Sequence, residues 1–397
     1  MLTSYLPYPP VSGGQVRSYN LIKNLAKKHE ITLFSLIKED EERKYIKELE
    51  KFCQKVRVFR RPARPWTLGN IFRTGFGFYP FLVIRNFSNE EKRALQKELK
   101  VEKYDLIHAE NFYVMPHIPK TLIPILLTEQ TIFYRVFQHF VESLPWYLFL
   151  LKLALMVDVW KLKHWESFYW RKADFLAAVS NDDVAHIKVL APGKKVYIVP
   201  NGVDFILFGK QKYSKNKQPT VLFGVADFHW MQNKEGARIL LNEIWPIIKK
   251  NVKNVRLWVV GKIAPEALAS YSDQKDVIIQ EIDDSQRAYQ QSWVLVAPIK
   301  SGGGSRTKFF EAMASGLPIV TTPEGIEGIE VIAGEEILVS DNWQDLAQKA
   351  VKVIRNRVLA RKISQRAQKL VKEKYSWDKS AQKLDKAYQE VAGGKKD

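Results

Sequence analysis

The segment from Trp293 to Glu330 constrains the fold of this chain more than any other. It runs from apolar WVLVA into Pro298, then three glycines at 302–304, an amphipathic stretch up to Gly316, and a second apolar run, PIVTT. That order predicts strand, glycine-rich loop, helix and strand. Phe310, Met313, Ala314 and Leu317 recur at i, i+3, i+4 and i+7, and Gly316 and Pro318 stand where a helix stops, so the helix begins near Ser305 or Arg306. A helix N-terminus offers unpaired N–H groups and a partial positive charge, and the glycines before it let a phosphate reach the backbone. Glu311 follows about six residues in, roughly 9 Å along the axis at ~1.5 Å per residue, with Lys308 three positions before it. A nucleoside diphosphate seated at the helix start brings its ribose hydroxyls to Glu311, and an ionised carboxylate, acceptor only, suits two hydroxyls. Taken singly, each part has a plainer alternative: a flexible glycine loop, and an exposed Lys–Glu pair worth ~0.3–0.5 kcal/mol.

With 397 residues the chain exceeds what one core serves, and two domains are expected. A single cysteine, Cys53, excludes an internal disulfide and fits a reducing compartment. The net charge of +19 favours anionic partners. The basic residues are dispersed through KNLAKKH, FRRPARP, KKNVKNVR and the C-terminal region, without zinc-finger spacing, an RNA-recognition signature or basic-region heptads, so nucleic acid is not the expected partner and an anionic membrane surface is. Lys152 and Asp158 interrupt the most apolar stretch, Leu144–Trp160, which argues against a spanning helix. Rimmed by Trp146, Tyr147, Trp160, Lys161, Lys163 and Trp165, it suits either a bilayer interface or a packed helix.

Along the chain, short apolar runs alternate with helix-length segments, the pattern of parallel βαβ units and an α/β fold. ITLFSL, KVRVF, DLIHAE and ILLTEQ read as strands in the first half, and VLFGV, VRLWVVG and VIIQ in the second. FSNEEKRALQKELK reads as a helix capped by Ser88 and Glu91, a helix is expected from about Lys234 to Lys250, and two or three close the chain after Asp345. Few residues precede Pro7 for a central first strand, so either that strand is short or the natural product begins upstream. The expected domains are 1–208 and 220–375, joined by a lysine-rich linker over 209–219. His108 and Glu110 end a strand at the edge where open α/β sheets bind ligands, which makes them acid–base candidates; the alternative for His108 is a structural core histidine.

SGGGSRTKFFEAMASGLPIVTT resembles the donor-nucleotide segment of GT-B fold glycosyltransferases of the retaining family 4, group 1 type, in which a Glu on this helix holds the ribose. The resemblance extends through WESFYWRKADFLAAVSNDDVAHI, VYIVPNGVDFILF and ADFHWMQNKEG. It implies two Rossmann-like domains with parallel sheets facing across a cleft, the first on the acceptor side, with a C-terminal helix at about 376–393 packed back on it. It implies transfer of a sugar from a nucleotide sugar to an acceptor hydroxyl with retention, in cell-surface polysaccharide or glycoconjugate synthesis, without metal or other cofactor, in the cytoplasm or on the inner face of its membrane, and with a carbohydrate or lipid-linked acceptor. The donor-binding set carried over is Gly13, Gly14, Asn201, Gly202, Lys234, Gly303, Gly304, Ser305, Arg306, Thr307, Lys308 and Glu311. Gly303 stands where many members place a sugar-contacting Glu, and Gln130 and Thr131 where many have a His. These departures leave two alternatives: a non-catalytic nucleotide-sugar-binding partner of another transferase, and a nucleotide-sugar epimerase of the same fold.

Overall fold

The computed structural model describes residues 1–61, 67–209, 218–282, 284–300 and 307–393. Most of the predicted linker, at 210–217, lies outside them, as do Gly303, Gly304, Ser305 and Arg306. The chain forms two compact units, one of residues 1–200 with the C-terminal stretch from Ser380, the other of residues 201–302 and 306–379.

The first unit is built on a seven-stranded parallel sheet. Its strands are β1 (Leu2–Thr3), β2 (Thr32–Ile37), β3 (Lys55–Arg60), β4 (Ile107–Glu110), β5 (Ile125–Glu129), β6 (Phe175–Ala178) and β7 (Val196–Ile198), in the order β3-β2-β1-β4-β5-β6-β7. β1 has only two residues and is nonetheless central, paired with both β2 and β4. Strands β2, β4 and β5 are buried along their whole length, and β2 and β5 accordingly read as mostly apolar runs with no alternation. The helices are α1 (Gly13–Leu25), α2 (Leu68–Phe76), α3 (Phe81–Arg85), α4 (Asn89–Val101), α5 (Phe133–Glu142), α6 (Phe149–Lys172) and α7 (Asn181–Leu190). Phe112, Leu127, Trp170 and Leu176 sit in the core.

The second unit carries six parallel strands in the order β10-β9-β8-β11-β12-β13. They are β8 (Thr220–Asp227), β9 (Arg256–Lys262), β10 (Val277–Gln280), β11 (Val294–Ala297), β12 (Ile319–Thr321) and β13 (Leu338–Val339). Its helices include α8 (Met231–Ile239), α9 (Trp245–Asn251), α10 (Ser285–Gln291), α11 (Thr307–Ala314), α12 (Trp343–Arg355) and α13 (Arg357–Lys374); α14 (Trp377–Gly393) follows and from Ser380 onward belongs to the first unit. In both sheets the strand order reverses next to the first strand, between β1 and β4 and between β8 and β11, the place where open α/β sheets open a ligand crevice.

Two local expectations are modified. The helix expected over 234–250 is α8, a π-helical turn at Leu240–Ile244, and α9; Pro246 at the start of α9 has no N–H, and the wider turn absorbs the missing bond. Ser88 does cap α4, accepting from the Glu91 N–H at 3.4 Å, but Glu91 does not complete a box. The Ser88 N–H donates to His117 Nε2 at 2.9 Å instead, and Glu91 is buried beside that ring.

Candidate functional site

In the second unit, α11 runs between β11 and β12 with Phe309, Phe310 and Met313 buried, so its outer face carries Lys308 and Glu311. The helix ends as its sequence implies: Gly316 takes a φ of 70°, and Leu317 N–H closes on Ala312 O at 2.9 Å. Glu311 is half-buried, and its Oε2 accepts from the Tyr289 hydroxyl of α10 at 2.9 Å. Burial pushes its carboxyl up to about 7, an effect the Tyr289 bond partly offsets. Tyr289 also approaches the Lys308 carbonyl at 3.3 Å, so one phenol fixes both the carboxylate and the backbone of this turn.

Lys308 Nζ lies 3.4 Å from Asn233 Oδ1 on α8 and over the Phe223 ring. Lys234 follows Asn233 on the same helix and is half-buried; Thr307 opens α11 and is also half-buried. Gly236 allows α8 its approach, since a Cβ there would stand 3.0 Å from Pro298 O at the end of β11. Thr307, Lys308 and Glu311 are thus gathered at the β8–β11 edge, with Lys234 on the neighbouring helix α8. Asn233 and Tyr289 join them, and neither is legible beforehand: Tyr289 is 22 residues from Glu311 and sits beside buried Ala288 on a short helix, as a core residue does.

The other predicted residues are placed differently. Gly202 is pressed against the start of α14, where a Cβ would meet Trp377 N at 2.8 Å, and Asn201 is buried. Close packing against Trp377 accounts for that glycine. In the first unit, Gly13 and Gly14 begin α1, and a Cβ on Gly14 would stand 2.6 Å from the Tyr5 hydroxyl and 3.1 Å from Gln130 Oε1.

His108 and Glu110 do not fit the acid–base assignment. His108 is 1% exposed, with Nδ1 2.6 Å from the Tyr388 hydroxyl and Nε2 2.8 Å from Thr128 Oγ1. Burial holds its pKa well below the usual value, so the ring is neutral and both nitrogens are taken. Glu110 is sealed as well, accepting from Gln130 Nε2, its raised pKa set by burial against the opposing pull of Arg17. The place at the C-terminal end of β4 suggested reactivity, but the Tyr388 hydroxyl of α14 occupies the His108 ring there. Among the described residues no group of three or more His, Cys, Asp and Glu side chains is placed to hold a metal ion.

Residues 11–205 match the family model described as Glycosyltransferase Family 4, and residues 219–356 match the one described as Glycosyl transferases group 1. The chain belongs to this glycosyltransferase family. The glycosyltransferase is 20% identical over 396 residues to the "Uncharacterized 44.6 kDa protein in cps region" of Klebsiella pneumoniae, covering 93% of this chain and 94% of that one. Among solved structures it is similar to sucrose-phosphate synthase from Thermosynechococcus elongatus, with a TM-score of 0.71, 16% identity and coverage of 99% and 98%. It is also similar to HepE from Anabaena, in complex with UDP-glucose, with a TM-score of 0.63, 14% identity and coverage of 97% and 98%. The two parallel sheets of this glycosyltransferase are those of the GT-B fold.

Proposed function

We propose that this glycosyltransferase moves a sugar from a nucleoside-diphosphate sugar to an acceptor hydroxyl, with retention, in the synthesis of a cell-surface polysaccharide or glycoconjugate. The observation that carries the reading is the Glu311 carboxylate oriented by Tyr289 beside Lys308 and Asn233. In this reading the ribose hydroxyls donate to Glu311, and Lys308 with Lys234 balances the diphosphate. Gly303, Gly304, Ser305, Arg306 and Thr307 supply main-chain N–H groups and a guanidinium to the leaving oxygens, electrostatic work that requires no metal. HepE with UDP-glucose and the Klebsiella protein of a cps region make uridine donors and capsule-type acceptors the first to test. The test is product analysis with UDP- and GDP-sugars. Free nucleotide together with a glycosylated acceptor in the donor's anomeric configuration supports the reading; an altered free nucleotide sugar or no turnover refutes it.

The reading includes attachment to an anionic membrane surface. No single helix among the described residues is long and apolar enough to cross a membrane. Yet α6 is apolar on its outer face as well, where Leu150, Leu153, Val157 and Trp160 are exposed at i, i+3, i+7 and i+10. Beside it, α2 exposes Leu68, Phe72 and Phe76. The two helices are locked together: Lys161 donates to Thr74 O and Gly77 O, Trp165 donates to Phe78 O, and Tyr79 stacks on Trp165 at 4.4 Å. Among the described residues, fifteen of the 26 exposed large apolar side chains fall within 68–79 and 146–168, which makes a patch, not scatter. The one acid in these stretches whose position allows it to face the patch, Asp158, is turned inward onto the Phe81 N–H, while Arg73 and Lys163 are exposed. Trp and Tyr at the edge with cations and no exposed acid suit acidic headgroups. Leu153→Glu with Trp160→Glu is expected to abolish cosedimentation with anionic vesicles at unchanged thermal stability; undiminished cosedimentation would sink the attachment.

A further inference from the structure

The β1–β4 switch point of the first unit holds a second polar cluster. Asn111, just past β4, takes a φ of 69°, uncommon for a residue with a side chain, and its Nδ2 donates to the Tyr113 hydroxyl at 2.9 Å. Ser4, just past β1, bonds the same hydroxyl. Beyond them stand two guanidinium groups, Arg61 just past β3 and Arg85 at the end of α3.

These two arginines are oddly placed. Each is half-buried, and the Nε of each is shut off from solvent with no acceptor among the described residues. Arg61 Nη1 donates to Asn86 Oδ1, whereas Arg85 makes no hydrogen bond or ion pair with any described residue. Burial, and then the neighbouring charge of Arg85, bring Arg61 down to about 10, so the two cations feel one another. The acid that acts on Arg61 is Glu42, and its Oε1 is already occupied by the Lys38 and Glu39 N–H groups, at 2.7 and 3.0 Å. The negative charge of Glu42 offsets only part of the penalty, since Arg61 is still pushed down; two like charges in a partly desolvated site are unfavourable, and an anion bound between them lowers that cost. The planar fork of arginine matches phosphate oxygens pairwise.

We propose that Arg61 and Arg85, at the switch-point edge with Asn86 and Tyr113, form an anion subsite that takes a phosphate or pyrophosphate ester carried by the acceptor. The word acceptor rests on the glycosyltransferase reading; the anion site does not. The phosphate group belongs either to a soluble sugar phosphate or to a lipid-linked sugar pyrophosphate, and the same two guanidinium groups serve both.

The experiment compares wild type with Arg85→Gln, and with Arg61→Gln should the first variant fold poorly. Thermal unfolding is followed in inorganic pyrophosphate against chloride at matched ionic strength, on a Lys234→Ala/Lys308→Ala background in which the diphosphate end of the nucleotide site is impaired. The subsite predicts that pyrophosphate still raises the midpoint of this background by several degrees. It also predicts that adding Arg85→Gln removes this rise, while Arg85→Gln alone keeps nucleotide affinity and is no less stable without ligand, because a like-charge contact has gone. In turnover assays, loss of one charge-assisted pair raises the KM of the phosphorylated acceptor by about tenfold or more in Arg85→Gln, with neutral sugars unaffected. Activity confined to the sugar phosphate or to the lipid pyrophosphate identifies the source. A pyrophosphate response that survives in both arginine variants on the Lys234→Ala/Lys308→Ala background, or an Arg85→Gln protein on that background that is destabilised and still responds, overturns the subsite. A response lost in Arg85→Gln with no turnover in any arm overturns the glycosyltransferase reading and leaves the subsite standing.

Discussion

The titration of Glu311 turns the donor-site reading into a measurable pH dependence. In the folded protein its carboxyl lies at about 7, raised from 4.5 chiefly by burial. Two ribose hydroxyls donate only to an ionised carboxylate, so a nucleotide sugar binds the deprotonated form. With a pKa of about 7, roughly a tenth of the molecules are ionised at about pH 6 and roughly nine tenths at about pH 8, so affinity rises about tenfold across that interval and levels off above it. The sign for stability is opposite. A raised carboxyl favours the folded state below its unfolded pKa, and that advantage is lost as pH rises through about 7; its ceiling is about 3 kcal/mol, less the screening that half-burial permits. Calorimetry with a nucleoside-diphosphate sugar reads both affinity and proton release, since the diester pyrophosphate stays ionised throughout. Glu311→Gln is expected to bind weakly with no slope between pH 6 and 8. A flat affinity in wild type, or the same slope in Glu311→Gln, would refute the reasoning.

Other perturbations follow from the same geometry. Tyr289→Phe removes the hydroxyl that stabilises the ionised Glu311, so the affinity midpoint moves to higher pH; an unmoved midpoint means the 2.9 Å bond has no energetic weight. Gly14→Ala drives a methyl to within 2.6 Å of the Tyr5 hydroxyl, and urea unfolding is expected to show a loss of about 1–3 kcal/mol in spite of the better helix propensity. Asp385 of α14 accepts from Lys28 at 2.6 Å and His29 at 2.8 Å, and the Lys28 bond above all holds its carboxyl below the ordinary range. Its stabilisation is present above the unfolded pKa and fades as pH falls through the lowered one; Asp385→Asn should cost about 1–2 kcal/mol near neutrality and flatten the acid limb of a stability profile.

The strand–helix alternation was readable where strands such as β2 and β5 are buried on both faces and stand out as apolar runs. Glu311 and Lys308 were readable because a terminating glycine and an apolar stripe fix which face of α11 is out. Tyr289 was not, because nothing local distinguishes a phenol aimed at a carboxylate from one packed in a core. His108 misled for the complementary reason: its strand-edge place is visible in sequence, but the Tyr388 hydroxyl that caps it comes from 280 residues away. Gly14 and Gly202 entered as donor-binding glycines through the resemblance, whereas contacts with Tyr5 and Trp377, distant in sequence, crowd both positions.

The two-sided apolarity of α6 bears on how variation in this protein is to be scored. Its inward residues, such as Val159 and Leu162, answer to folding, while Leu153 and Trp160 on the outer side do not. A screen that counts only soluble, well-melting product will therefore pass, and even reward, polar replacements at 150, 153, 157 and 160; under the proposed membrane attachment, such a library would be enriched in proteins that work in a test tube and go astray in a cell.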